Sequence, residues 1–261
     1  MRKYLHCLKV IFKNNWTREV IYRSNFLSMI IIEIIRLGVT LSIFEIIYSH
    51  VDQVAGWTKA QTYFFTGFLF TNNAIFTTLF SRNFWNFSYL VNRGDLDSLL
   101  IKPVHPLFLA LLSKVNITML LNAIFGFWIM KTYAEASGFI GGWRWLEVIG
   151  WLIFGSVLQT LLRFFFSVWV FWTERSNSIS RLYFKLYELA SKPDSFYPST
   201  LRFTITLIIP LALISAVPTR ALLFGLTLTE QIQMGLVLLA LMYIDKKLWN
   251  KGLQRYQSAS S

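Results

Sequence analysis

Arg93-Gly94-Asp95-Leu96-Asp97-Ser98-Leu99-Leu100-Ile101-Lys102-Pro103-Val104-His105-Pro106 separates two long apolar runs. It is too short and too polar to cross a bilayer, and it is punctuated like a short helix with fixed ends. Gly94 can stop an incoming helix. Asp95 suits the N-cap of a new one, and Asp97 its first turn, where a negative charge meets the positive end of the helix dipole. Pro103 bars continuation because it has no amide hydrogen, and Pro106 suits the first turn of the next helix. The stretch predicts one or two helical turns lying across the ends of two membrane spans, where something outside the membrane could push on them.

The flanking runs decide the fold class. Of 261 residues, 55% are hydrophobic and 15% charged, with mean hydropathy +0.50. A soluble surface needs far more charge. Several runs reach the ~20 residues that cross about 30 Å of hydrocarbon. The ~10-residue alternating segments of a membrane β-barrel are missing. The expectation is an all-α, polytopic membrane protein. Its net charge of +12 could suggest nucleic acid, but the basic residues lie between the apolar runs, as in membrane proteins, so no nucleic-acid partner is expected. Cys7 is the only cysteine, which rules out a disulfide framework. His6, His50 and His105 are too scattered for a metal site. The first 25 residues are too charged for a cleavable signal peptide.

Residues 1–25 place Arg2, Lys3, Lys9, Lys13, Arg18 and Arg23 among Tyr4, Leu8, Ile11, Phe12 and Trp16. This mixture fits a basic amphipathic helix in the membrane interface, the alternative being a solvated tail. The remainder, 26–261, reads as one six-helix membrane domain. Its spans are expected at Phe26–Tyr48, Lys59–Ser81, Pro106–Met130, Trp145–Trp172, from about Leu201, and at Ile232–Ile244 extending toward Trp249. Arg82–Leu90 suits the interface. Pro210 and Pro218 interrupt the fifth run and suggest a broken helix, with a re-entrant or interfacial piece within about 210–230.

Charge inside a span is costly and faces protein or water rather than lipid. Glu33 and Arg36, three residues apart, can partly neutralise each other, either as a helix-locking pair or as part of a substrate path. Lys114 and Arg163 are the other intramembrane charges. Thr62, Thr66, Asn73 and Thr77 fall near one line of the second span. They either line a cavity or bond to neighbouring helices. Thr173–Thr200 is the longest polar connection and is basic, with a short amphipathic helix expected at Ser180–Ala190.

With the N-terminus in the cytoplasm, six spans return the C-terminus there. The outer segments then hold only Lys59, Lys131, Arg144 and Arg220, and the other loop cations lie inside. That bias puts Arg93–Pro106 and Thr173–Thr200 on the cytoplasmic side. The sequence lacks a phosphate-cradling Gly-x-x-x-x-Gly-Lys-Ser/Thr, a nucleophile elbow and a His-Glu-x-x-His motif. Asp95 and Asp97, two apart, diverge on a helix and make no acid/base pair. No catalytic residue is expected.

One family shares this layout. On Gly94-Asp95-Leu96-Asp97-x-Leu99-Leu100-Ile101-Lys102-Pro103-Val104-x-Pro106, Tyr197-Pro198, Ile209-Pro210 and Trp249-x-x-Gly252-Leu253-x-x-Tyr256-x-Ser258-Ala259, the chain resembles permease subunits of ABC-2 type exporters. The resemblance implies six transmembrane helices, an N-terminal elbow helix, a cytoplasmic coupling helix between spans two and three, and a re-entrant outer segment between spans five and six. It implies a permease dimer, of like or related chains, with two copies of a separate ABC ATPase subunit. ATP and Mg would bind on that partner and no cofactor on this chain. Arg93, Gly94, Asp95, Leu96, Asp97, Leu100, Lys102 and Pro103 would then seat in a groove of the ATPase. Arg82 and Thr173–Thr200 are secondary contacts. The expected residence is the bacterial cytoplasmic membrane. The expected cargo is an amphipathic small molecule, lipid or glycoconjugate, moved outward by alternating access. Two other functions compete: a mechanical or signalling membrane subunit, and a stand-alone ion-coupled transporter using Glu33, Arg36, Lys114 and Arg163.

Overall fold

The computed structural model describes residues 2–21, 23–173 and 176–256. Met1, Arg175, Ser258 and Ala259 lie outside the described residues, as do the side chains of Arg2, Arg18 and Arg23. The described chain is mostly helical, as expected. In order it forms α1 (Arg2–Ile21), α2 (Arg23–Tyr48), α3 (Lys59–Phe76), α4 (Arg82–Asn92), α5 (Asp97–Leu100) and α6 (Pro106–Leu112). It continues as α7 (Leu120–Tyr133), α8 (Trp145–Ser167), α9 (Ser176–Tyr187), α10 (Ser199–Phe203), α11 (Ala216–Phe224) and α12 (Leu228–Arg255). A two-residue hairpin, Gln53–Val54 against Trp57–Thr58, links α2 to α3.

The bundle has two ends. At one, α1 docks on α6: Tyr4 meets the Phe108 ring edge-on at 5.0 Å, and Asn15 donates to the Ser113 carbonyl at 3.2 Å. α5 lies at this same end. At the other, Trp57 packs edge-on against Phe224 at 5.7 Å, and Arg144 donates to the Leu222 carbonyl at 2.6 Å. Two long helices start there on capping boxes, Thr58 with Gln61 for α3 and Thr227 with Glu230 for α12.

By length and composition, Gly142–Phe171 is long and apolar enough to cross a membrane alone, and Pro106–Leu112 with Ile117–Tyr133 qualifies as a pair bent by 64°. The exposed surface carries many large apolar side chains, such as Ile31, Ile35, Ile46, Trp128, Ile153, Leu236 and Tyr243. Contiguous apolar exposure of this kind suits lipid or another apolar partner rather than water.

Three expectations change. The second run does not end at Ser81. A π turn, Thr77–Ser81, carries α3 directly into α4. The third run is not one helix but α6 and α7, broken at 113–116. The break leaves backbone groups unpaired, and neighbours pair them. Asn83 accepts from the Lys114 amide at 2.8 Å and donates to the Lys114 carbonyl at 2.8 Å. The Asn116 amide donates to the Thr78 carbonyl at 2.8 Å, within the π turn. Irregular backbone at membrane depth persists only where protein satisfies it in this way.

The largest correction concerns Thr173–Thr200, which is not a loop at one end. Trp172 packs in the cluster around Leu96 at the α5 end. From there α9 rises along the bundle. Phe184 stacks on Trp85 (5.2 Å, 16°), and Tyr187 donates to Asn73 at 3.3 Å. Farther along, the Ala190 carbonyl accepts from Ser215, and Asp194 meets Arg202 and Arg220 at the far end. Leu201–Phe224 stays at that far end, broken at Pro210, with Ile209 at φ −120° and ψ 83°. The hydropathy of α9 hides this path. Tyr183 and Ala190 turn inward, while Arg181, Lys185 and Glu188 stay exposed.

Close packing in the middle depends on glycine. A Cβ on Gly67 of α3 would lie 2.6 Å from the Gly126 carbonyl of α7, and one on Gly126 would lie 2.7 Å from the Thr71 amide. Small residues at such a crossing let two helix backbones touch.

Candidate functional site

Two features stand out: the element around α5, and a polar groove on the side of the bundle.

Gly94, at φ +78°, ends α4 in the left-handed region that glycine tolerates. The chain turns sharply, and the Leu96 amide returns to the Leu90 carbonyl at 3.1 Å. α5 starts later than expected. Its N-cap position is Leu96, without a side-chain cap bond, so Asp95 is not the cap. Asp97 does occupy the first turn. Pro106 sits at the start of α6, whose N-cap His105 accepts from the Leu107 amide.

Leu96 is the anchor. It is fully buried, in a cluster with Phe84 and Phe87 of α4, Val168 and Phe171 at the end of α8, and Trp249 of α12. Around it Arg93, Asp95, Leu100, Lys102 and Pro103 are exposed, Gly94 and Asp97 are partly buried, and Ile101 is 86% exposed. Tyr256, at the end of α12, packs edge-on against Phe171 at 6.2 Å and sits beside Asp97. Burial, and then the Asp97 carboxylate, push its phenol pKa upward. A Cβ on Gly252 would collide with the Phe171 ring, so only glycine lets α12 approach so closely. The Trp249, Gly252 and Tyr256 spacing thus has a physical role: these residues pack around the base of α5.

The groove holds a cavity of about 300 Å³ lined by Glu33 of α2, by Thr77 and Ser81 of the π turn, by Arg82 and Trp85 of α4, and by Asn116 at the α6–α7 break. Beside it Arg36 pairs with Glu33, with its Nε at 2.8 Å, and lies over the Phe70 ring at 4.8 Å. The expected threonine stripe splits. Thr62 and Thr66 are buried, Thr62 bonded to the Tyr48 hydroxyl and Thr66 to the Thr62 carbonyl, so they serve packing. Thr77 lies in the cavity wall, and Asn73 accepts from the Tyr187 hydroxyl of α9. Lys114 lies at the helix break, partly buried, with its backbone held by Asn83. Arg163 is buried away from the cavity wall. Its guanidinium lies among the rings of Tyr183 and Phe184 (4.9 and 4.7 Å) and donates to the Ser180 carbonyl. It fastens α9 to α8.

One cluster escaped sequence reasoning. Asp194, 1% exposed, accepts from Arg202 at 2.8 Å and lies 4.0 Å from Arg220, which also pairs with Glu230 at 2.8 Å. The Thr227 amide and hydroxyl hold the Glu230 carboxyl below its usual range, with Arg220 adding to the effect. The cluster ties α9's far end to α10, α11 and α12. Only the Thr227–Glu230 capping box within it is visible in sequence.

Residues 34–260 match the family model described as ABC-2 family transporter protein. No curated protein and no solved structure matches the chain. The match covers everything after the first helix and the opening turns of the second, α5 and the α12 cluster included. The chain therefore belongs to the ABC-2 transporter family, as a membrane permease that associates with an ABC ATPase subunit.

Proposed function

We propose that this chain is an export permease worked through α5. In this reading α2, α3–α4, α6–α7, α8, α9 with 188–191, and α12 make six crossings, with both termini cytoplasmic. α1 is the interfacial elbow, and Leu201–Phe224 forms the re-entrant outer segment. The exposed rim of α5, with Arg93, Asp95, Leu100, Ile101, Lys102 and Pro103, seats on the ATPase. Two ATPase copies serve a dimer of permease chains. ATP and Mg bind on the ATPase, not here. Closure of the motor pushes α5. Because Leu96 sits between α4, the end of α8 and α12, the push moves these three helices together and opens the groove alternately to each side. That anchoring of an exposed tip through one buried leucine is the observation that carries the reading. The cargo is amphipathic, meeting apolar helix faces as well as Glu33, Thr77, Ser81, Arg82 and Asn116 in the groove.

The test is co-purification with the cognate ATPase, with cargo-stimulated hydrolysis as the second readout, for Asp95→Ala/Asp97→Ala, Lys102→Ala and Ile101→Asp. These variants should bind the ATPase less or uncouple its hydrolysis. If all keep normal binding and normal stimulation, α5 is not the coupling element. Orientation is checked separately in a Cys7→Ser background. Ser98→Cys should react only from the cytoplasm and Ala136→Cys only from outside, and the reverse pattern would sink the topology.

A further inference from the structure

Two aspartates are almost wholly buried, Asp194 and Asp245. Asp194 is accounted for by Arg202 and Arg220. Asp245, 4% exposed in the half of α12 nearer α5, has no such account: among the described residues neither carboxylate oxygen has a hydrogen-bond partner. A buried carboxylate in that position either gives up its charge or waits for a cation.

Asp245 borders a cavity of about 300 Å³ between α6, α8 and α12, near the lower end of small-molecule sites in size. The cavity walls are mostly apolar: Leu107 and Leu111 from α6, Leu161 and Phe164 from α8, Met242 and Trp249 from α12. Trp249 follows Asp245 by one helical turn and so lies on the same face. Its ring faces can attract a cation as well as an apolar body. The two other titratable groups at the cavity are placed differently. Lys246, the next residue, sits about 100° round the helix and is exposed. His105, at the cavity's α6 end, uses its Nδ1 to cap that helix. The pocket therefore offers one unpaired buried carboxylate, an aromatic ring and an aliphatic wall.

We propose that this cavity binds an amphipathic organic cation, with its ammonium against Asp245 and its apolar body against Leu107, Leu161 and Phe164. An anion would meet the carboxylate unfavourably, and a neutral body would leave its charge uncompensated. The site is separate from the groove between α2, α4 and the π turn. It does not rest on the export reading, because its test needs no ATPase.

The probe is 1-naphthylmethylamine, with 1-naphthylmethanol as its neutral counterpart. Binding is measured by ligand-observed saturation-transfer NMR on the full chain in phosphatidylcholine/phosphatidylglycerol nanodiscs at neutral pH. Asp245→Asn keeps the shape and removes the charge. Leu111→Trp keeps the carboxylate and fills the cavity from the opposite wall, which covers the case in which Asp245→Asn fails to fold. The amine should bind the wild type, and roughly tenfold or more weakly to either variant, while the alcohol binds weakly to all three. Equal amine binding to wild type and Asp245→Asn, equal binding of amine and alcohol to wild type, or no amine signal with wild type would each overturn the proposal. Replacing part of the phosphatidylcholine with phosphatidylethanolamine separates the sources. Competition with the probe makes the resident ligand a lipid amine, and undiminished probe binding assigns the site to free amphipathic amines.

Discussion

Replacing Asn83 by alanine isolates what it costs to leave a helix break unpaired inside a membrane bundle. Asn83 is 2% exposed. Its carbonyl oxygen accepts from the Lys114 amide at 2.8 Å and the Ser113 hydroxyl at 3.2 Å. Its amide nitrogen donates to the Lys114 carbonyl at 2.8 Å and the Leu79 carbonyl at 3.1 Å. The Leu79 carbonyl and the Ser113 hydroxyl are the lesser losses. The Lys114 amide and carbonyl lie where the chain is not helical, so no turn of helix can take them over. A buried backbone group stripped of its partner costs about 1–3 kcal/mol. Interhelical hydrogen bonds in membranes average nearer 0.6 kcal/mol, because the unfolded chain also finds partners there, so the low half of the range is the right one. Two such groups give a loss of ~2–4 kcal/mol. Asn83→Asp keeps an acceptor but loses the donor and sets a negative oxygen against the Lys114 carbonyl, so it should be no milder. The assay is reversible unfolding in mixed micelles followed by tryptophan fluorescence. If Asn83→Ala costs less than about 0.5 kcal/mol, an ordinary surface value, the break is satisfied by something else and the clamp does not hold α6 to α7.

Leu96→Ala empties a fully buried site and should cost about 3 kcal/mol, while lowering cargo-stimulated ATP hydrolysis more than it lowers ATPase binding, because the exposed rim of α5 is untouched. Gly67→Ala places a methyl against the Gly126 carbonyl and the Met130 amide, both backbone, and should lower the thermal midpoint by several degrees, consistent with ~2 kcal/mol of overpacking. Gly252→Ala drives a methyl into the Phe171 ring, which can tilt, so its cost should be the smaller of the two by the same thermal measurement. Glu230 has a folded pKa below the usual 4.5, so the stability it contributes is present above that value and is lost as pH falls through the folded pKa. Glu230→Gln should remove that acid-range slope and leave the remaining pH profile unchanged.

Local rules carried the sequence reading where the determining residues are neighbours. The turn at Gly94, the proline start of α6 and the two capping boxes each depend on residues within a few positions of one another. The reading failed where the compensating residue is distant in sequence. Ser113 to Asn116 carries no glycine or proline, and the residue that stabilises the break, Asn83, lies about 30 positions earlier. Had the π turn been an uninterrupted α-helix, the Thr78 carbonyl would have been occupied. Nothing in Thr77-Thr78-Leu79-Phe80-Ser81 marks it as the exception. The α9 error has another cause. Hydropathy averages over faces, and α9 with the following turn, 188–191, alternates Tyr183, Leu186 and Ala190 with Arg181, Lys185 and Glu188. An amphipathic segment can run the depth of a bundle when one face is packed and the other meets a groove or a partner chain, and its average then reads as a short helix in a polar connection rather than a crossing. The threonine stripe divides between its two expected roles for the same reason: Thr62 and Thr66 share a helical line with Asn73 and Thr77, but the neighbours covering that line change along its length.

Correcting α9 also changes the charge argument for orientation. Lys192 and Arg202 move to the end that already holds Lys59, Lys131, Arg144 and Arg220. The α5 end keeps Arg93, Lys102, Lys246, Lys247, Lys251 and Arg255, and α1 adds Lys3, Lys9 and Lys13. Counting Lys and Arg alone, the excess still lies at the α5 end, the end that the positive-inside rule would put in the cytoplasm. The two sets differ in a second way. At the far end Lys59 pairs with Glu45, Arg144 with Glu147, Arg202 with Asp194, and Arg220 with Glu230. Among the described residues, Arg93 and Lys102 in the exposed rim of α5 have no ion-pair partner, and Arg93 lies over the Tyr89 ring at 5.7 Å. At the far end Arg202 and Arg220 hold short broken helices together. Cations left open around α5 are available to a partner of opposite charge.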